Sequence, residues 1–109
     1  MKTIVTRFTD ICAVCGRTGD IVSHHLVFGR GIRNLADEDL LILPICNGCH
    51  NMKNDVTGRI HDNPMAENLS KMLGQVIWEK HYIAEKSANK DIEDEARLAF
   101  LKRYGRSWL

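Results

Sequence analysis

The spacing of apolar positions changes period about halfway along the chain. Residues 1–11 carry Ile4, Thr6 and Phe8 at alternate positions, which predicts a short strand. "IVSHHLVF" (21–28) is rich in β-branched and aromatic residues and predicts another. "GRGIRN" (29–34), with two glycines and two arginines, reads as a loop. "DEDLLILPIC" (37–46) is an apolar run that predicts a short buried segment. "HNMKND" (50–55) should open a short helix that ends by Gly58. His61–Pro64 reads as a turn, because Pro64 disfavours helical backbone at Asn63. From Met65 onward the period is helical, with Leu69, Met72, Leu73, Val76, Ile77, Lys80 and Ile83 in register. After a polar break at 86–90, Ile92, Ala96, Leu98, Ala99, Leu101 and Tyr104 repeat it. That last helix begins acidic and ends basic, as the helix dipole favours, and Gly105 can stop it.

A chain of 109 residues suits one domain, and at that size a metal staple adds much to a modest core. We take residues 1–109 as that domain, with no internal repeat, low-complexity tract or long linker. A formal net charge of +1 neither demands nor excludes a nucleic-acid partner, because a local patch matters more than the sum. No apolar run reaches the ~18–20 residues needed to span a bilayer, so no membrane partner is expected. Arg7 and Asp10 interrupt the apolar core that a signal peptide would need, and the expected location is the cytoplasm.

Cys12/Cys15 and Cys46/Cys49 form two C-x-x-C pairs. Two disulfides would also account for an even count, but a reducing cytoplasm opposes them. The spacing is the one that delivers four thiolates to a tetrahedral zinc, and Gly16 and Gly19 permit the tight turn of the first knuckle. Unliganded core thiols are the plainer reading; a redox pair would need a βαβ context that neither C-x-x-C has. Four sulfurs close the shell, so this zinc would be structural, and His50, directly after Cys49, would be spare. Adjacent strand residues such as His24 and His25 face opposite sides. In isolation one would be buried and one exposed; a bulge or strand end is needed for both to serve one site. The knuckles pin both ends of the intervening segment, which lets His24, His25 and His50 converge.

The order C-x-x-C, "SHHLVFG", C-x-x-C-H resembles the HNH, or ββα-metal, endonucleases with a zinc scaffold. The likeness covers about residues 10–63. "CHNMKND", "RIHDNP", "MLGQVIWEKHY" and "LKRYGRSWL" look most like small phage and prophage members. The resemblance implies an α+β fold: a small zinc-stapled ββα-metal core followed by two C-terminal helices over about 65–109. It implies that His24 binds a catalytic divalent ion, that His25 is the general base, and that His50 is a second ligand of that ion. A further ligand would be Asn54, at i+4 from His50 on a shared helical face, or His61 from the turn beyond. The family's Asn that orients the base falls on Leu41 here, so Asp39, Asn34 or a backbone carbonyl would have to replace it.

The implied reaction is metal-dependent hydrolysis of DNA phosphodiesters in a bacterial host cytoplasm. Two imidazole ligands suit Mn²⁺, Ni²⁺, Co²⁺ or Zn²⁺ better than Mg²⁺. Arg30 and Arg33 either hold backbone phosphates or are solvated loop residues, and Lys53 and Arg59 would extend such a patch. Lys102, Arg103 and Arg106 fit DNA contact or an ordinary solvated helix end. Trp78, Tyr82 and Trp108 suit core packing or a homodimer contact better than base stacking. Two other functions fit the same residues: a non-catalytic zinc-binding nucleic-acid module, and a zinc-based protein-interaction module.

Overall fold

A computed structural model describes residues 1–86 and 92–109. The β-branched start of "IVSHH" extends as β1 (Ile21–His25), and the apolar run supplies β2 (Ile42–Cys46). They pair antiparallel, from Ile21 opposite Cys46 to His25 opposite Ile42. A two-stranded ribbon is marginal by itself in water, so this one depends on what holds its ends. The cysteine knuckles hold one end, where Ala13 N donates to Pro44 O (2.9 Å) and Asn47 N to Asp20 O (3.0 Å). Helices hold the other. The fold is therefore a small α+β arrangement, with a two-stranded sheet, one short helix between the strands and two longer ones after them.

Three expectations about local structure are corrected. Residues 1–11 form no strand: Ile4 N donates to Leu40 O (3.0 Å), Ile4 and Val5 rest on the core, and Phe8 is exposed. No ladder forms, because Thr3 turns its hydroxyl onto the carbonyls of Leu40 and Ile42 instead. The loop at 29–34 is shorter than expected and gives way to α1 (Arg33–Glu38), after Gly29 and Gly31 take φ of +129° and +79°. The segment 50–58, expected to open as a short helix, makes no α-helix. The chain there makes one π-helical turn (Gly48–Met52), extends at Lys53, and makes one 3₁₀ turn (Val56–Gly58).

Both C-terminal helices form where the period predicts them, as α2 (Pro64–Lys86) and α3 (Ile92–Tyr104). Pro64 occupies the first helical position, where its missing N–H costs nothing, and the Asn63 side chain accepts from Ala66 N (3.4 Å). Gly105, at φ +81°, follows the end of α3. Most of the polar break expected at 86–90 lies outside the described residues. The helices complete the core: Leu26, Val27, Ala36 and Leu41 share one buried cluster with Phe100 and Tyr104 of α3. Trp78 packs edge-on against Phe100 (5.5 Å) and stacks on Tyr82 (5.5 Å), so this pair serves packing. Trp108 also sits against Phe100.

Asp39 ties these layers together. Its carboxylate accepts from Trp78 Nε1 (2.9 Å), Arg103 Nε and Nη2 (2.7 Å each) and the Tyr104 hydroxyl (2.7 Å). Arg103 is thus an internal strut between α3 and the end of α1, with Glu38 as a further partner (3.1 Å).

The face that α2 turns inward is not its apolar stripe. Leu69, Met72, Leu73 and Val76 are exposed, whereas Ser70, Gly74, Gln75 and Glu79 are buried. Gly74 shows why. A Cβ there would lie 2.5 Å from Val27 Cγ2 and 3.0 Å from Leu26 Cβ, so only glycine lets the helix approach the end of β1 this closely. Gln75 donates to Glu79 Oε2 and to Ser107 Oγ and accepts from Trp108 N, which satisfies its buried amide. The period finds the helix, but polar contacts choose its rotation. Gly74→Ala is expected to cost about 1–3 kcal/mol through overpacking, read as a lowered midpoint in urea with zinc retained.

Candidate metal centres

The sequence folds each C-x-x-C into a knuckle whose backbone points at its own sulfur. Cys15 N lies 3.4 Å from Cys12 Sγ, and Cys49 N lies 3.5 Å from Cys46 Sγ. Gly16, at φ +80°, turns the first knuckle, with Gly16 N donating to Cys12 O (2.9 Å). The four sulfurs of Cys12, Cys15, Cys46 and Cys49 all lie within 4.8 Å of one another. A tetrahedron with metal–sulfur bonds of about 2.3 Å has sulfur–sulfur edges of about 3.8 Å. Cys15 Sγ and Cys46 Sγ are 3.7 Å apart, so the set can hold a metal such as zinc. The amide of Cys49 holds the Cys46 thiol below its ordinary pKa. Burial pushes Cys49 up to about 12, a cost that a cation at the centre would remove. Lys53 Nζ approaches Cys49 Sγ (3.6 Å), where it offsets the negative charge of a four-thiolate site.

A second group lies beside the first. His24, His50 and His61 each bring a ring nitrogen within 4.8 Å of the other two. Their ring centroids are 5.3 Å apart for His24–His50, 5.2 Å for His24–His61 and 4.5 Å for His50–His61. The knuckle positions two of the three. His50 follows Cys49 in the π-helical turn, while Ile60 N donates to Cys49 O (2.8 Å) and His61 N to His50 O (3.0 Å). The second knuckle thus carries His50 covalently and His61 through two backbone hydrogen bonds. β1 delivers His24 from across the cleft.

Of the two residues weighed as a further ligand, the structure brings His61 to the group and leaves Asn54 out. Asn54 is exposed, because the chain becomes extended at Lys53 and the i+4 relation to His50 never forms. His24 and His25 open onto one cleft because β1 ends at His25, which supplies the strand end that two adjacent histidines require. The cleft, of about 270 Å³, is lined by Ser23, His24, His25, Phe28, Gly29, Arg33, His50 and His61.

His25 Nε2 lies 2.9 Å from Asp37 Oδ1. An ionised carboxylate only accepts, so Nε2 carries the proton and Nδ1 keeps a lone pair. Asp37, on α1, was not among the residues expected to replace the missing Asn. Asp39 is occupied by Trp78, Arg103 and Tyr104, and Leu41 is fully buried in the core. The short helix α1, which begins at the end of the expected loop and runs to Glu38, is what presents Asp37, and charge alone gave no sign of it.

The candidate phosphate ligands divide. Arg33 lines the cleft and Arg30 is exposed. Arg59 commits four of its five N–H groups, to His61 O, Asn51 O, Lys53 O and Asp62 Oδ2. Arg59 therefore braces the segment that carries His61.

A scan against family models and searches of curated proteins and solved structures found no match to this chain. Among the described residues, no helix is long and apolar enough to cross a membrane.

Two outcomes follow from these centres. Replacing Cys46 with Ser should abolish stoichiometric zinc in metal analysis of the purified protein and lower its melting temperature, because a four-thiolate site, when filled, couples metal binding to folding. Burial, then the neighbouring charges of His61, His50 and His25, pushes His24 down to about 3. The unfolded chain then binds more protons than the folded one below the ordinary histidine pKa of about 6.5. This contribution to stability is complete above that pH and is lost as pH falls toward the folded value. Denaturation midpoints should fall between about pH 7.5 and 5.5 with zinc retained, and less steeply in His24→Asn.

Proposed function

We propose that this protein is a metal-dependent DNA endonuclease that hydrolyses phosphodiester bonds. One observation carries the reading: three convergent imidazoles share a cleft with a fourth whose tautomer a carboxylate fixes. The motif resemblance to HNH nucleases, with its ββα-metal core, points the same way.

His25 is the general base. With Nε2–H held by Asp37, its Nδ1 takes a proton from a water in the cleft as the water oxygen attacks phosphorus. The bridging P–O bond breaks, and the departing alkoxide is protonated from solvent. His24, His50 and His61 would hold the divalent ion, which supplies charge stabilisation at the phosphate and at the leaving oxygen. Arg33, on the cleft wall, contributes a phosphate contact. The four cysteines keep a separate ion outside the chemistry.

A non-catalytic zinc-binding nucleic-acid module is the second reading. It is favoured by the single π-helical turn where the nuclease family would place a helix.

Nicking of supercoiled plasmid separates the two. His25→Ala should lower the rate by about 10²–10⁴-fold while zinc content and DNA binding persist. Mn²⁺, Ni²⁺, Co²⁺ or Zn²⁺ should support faster cleavage than Mg²⁺, as three imidazole donors require. Cleavage unchanged by His25→Ala would defeat the assignment.

A further inference from the structure

Two of the three convergent histidines make their remaining ring contact with the same helix. His24 Nε2 lies 2.8 Å from Ser70 Oγ, and His61 Nδ1 lies 3.3 Å from Glu67 Oε2. Ser70 and Glu67 belong to the first two turns of α2, outside the span that resembles a nuclease core.

The chemistry of these partners decides which nitrogen each histidine offers. Ser70 Oγ donates its one hydrogen to Leu26 O (2.8 Å). Toward His24 the hydroxyl can then only accept, so His24 carries its proton on Nε2 and keeps the lone pair on Nδ1. Glu67 accepts through a carboxylate oxygen, so His61 carries its proton on Nδ1 and keeps the lone pair on Nε2. Asn63 helps place Glu67, since its backbone carbonyl accepts from Glu67 N (2.9 Å), and the bare Cα of Gly74 brings Ser70 within reach of β1.

We infer that Ser70 and Glu67 are positioning residues of the histidine centre, setting His24 to bind a divalent cation through Nδ1 and His61 through Nε2. The helical extension is thereby part of the metal site, not merely a cover for the core. The inference rests on the metal-binding half of the proposed function and is independent of the cleavage half. A ring whose far nitrogen is held by a fixed acceptor is both oriented and more basic, which is how outer contacts tune ligand histidines.

The test begins with zinc-loaded full-length protein at alkaline pH and no second ion. Two-bond ¹H–¹⁵N spectra of the imidazoles should show His24 as the Nε2–H form and His61 as the Nδ1–H form. Co²⁺ is then titrated, with the absence of thiolate charge-transfer bands marking binding at the histidines. Ser70→Ala and Glu67→Ala should each weaken Co²⁺ binding by about 10–100-fold with zinc content unchanged, and Ser70→Thr, which keeps the hydroxyl, should restore it. The inference is overturned by His24 in the Nδ1–H form, by wild-type Co²⁺ affinity in Ser70→Ala, or by no Co²⁺ binding at the histidines. Wild-type protein that shows both tautomers and binds Co²⁺, yet leaves plasmid intact, would uphold this inference and remove the nuclease reading.

Discussion

The contact on which the rest depends is the pairing of Cys49–His50 backbone with Ile60–His61 backbone, at the shoulder of the second knuckle. Four sulfurs drawn around one point fix residues 12–15 against 46–49, and they do so where the sheet register also ends, at Ile21 opposite Cys46. A chain this small has little buried surface with which to stiffen a loop. The knuckle therefore supplies rigidity locally, and the two histidines inherit it, one by covalent adjacency and one by hydrogen bonding.

From that shoulder the site is assembled from three directions. The knuckle contributes His50 and His61, the end of β1 contributes His24 and His25, and α2 contributes the groups that orient two of the rings. Each direction has its own anchor. Arg59 braces the 51–62 segment, Asp39 binds α3 and α2 to the end of α1, and Gly74 admits α2 to the sheet. Withdrawal from water beside neighbouring imidazoles disfavours the charged forms of His24 and His50. That is why burial, followed by mutual repulsion, lowers His24 and also His50.

Much of this was legible in the residues, for physical reasons that can be named. The cysteine pairs were readable because tetrahedral sulfur coordination imposes a sequence spacing. The two long helices were readable because their period persists for several turns. The turn at 61–64 was readable because Pro64 restricts its neighbour. What escaped was set by contacts between residues far apart in the chain. The rotation of α2 follows Ser70, Gly74 and Gln75 instead of Leu69, Met72, Leu73 and Val76, because its neighbours are a histidine ring, the Leu26 and Val27 side chains beyond β1 and the C-terminal segment. Asp37 meets His25 only because six residues coil into α1 between two glycine-permitted turns and a left-handed Leu40. Asn54 failed as a candidate because it presumed a regular helix, and the chain instead leaves its π-helical turn after four peptide steps.

The direct junction between the His61 turn and α2 has a geometric consequence. A helix advances about 1.5 Å and rotates about 100° with each residue, and Pro64 starts α2 only three residues past His61. Adding or removing one residue between Asn63 and Glu67 would swing Ser70 away from β1 and bring a neighbour of different chemistry in its place. The length of that short stretch is therefore as much a part of the cleft's chemistry as the identity of any side chain lining it.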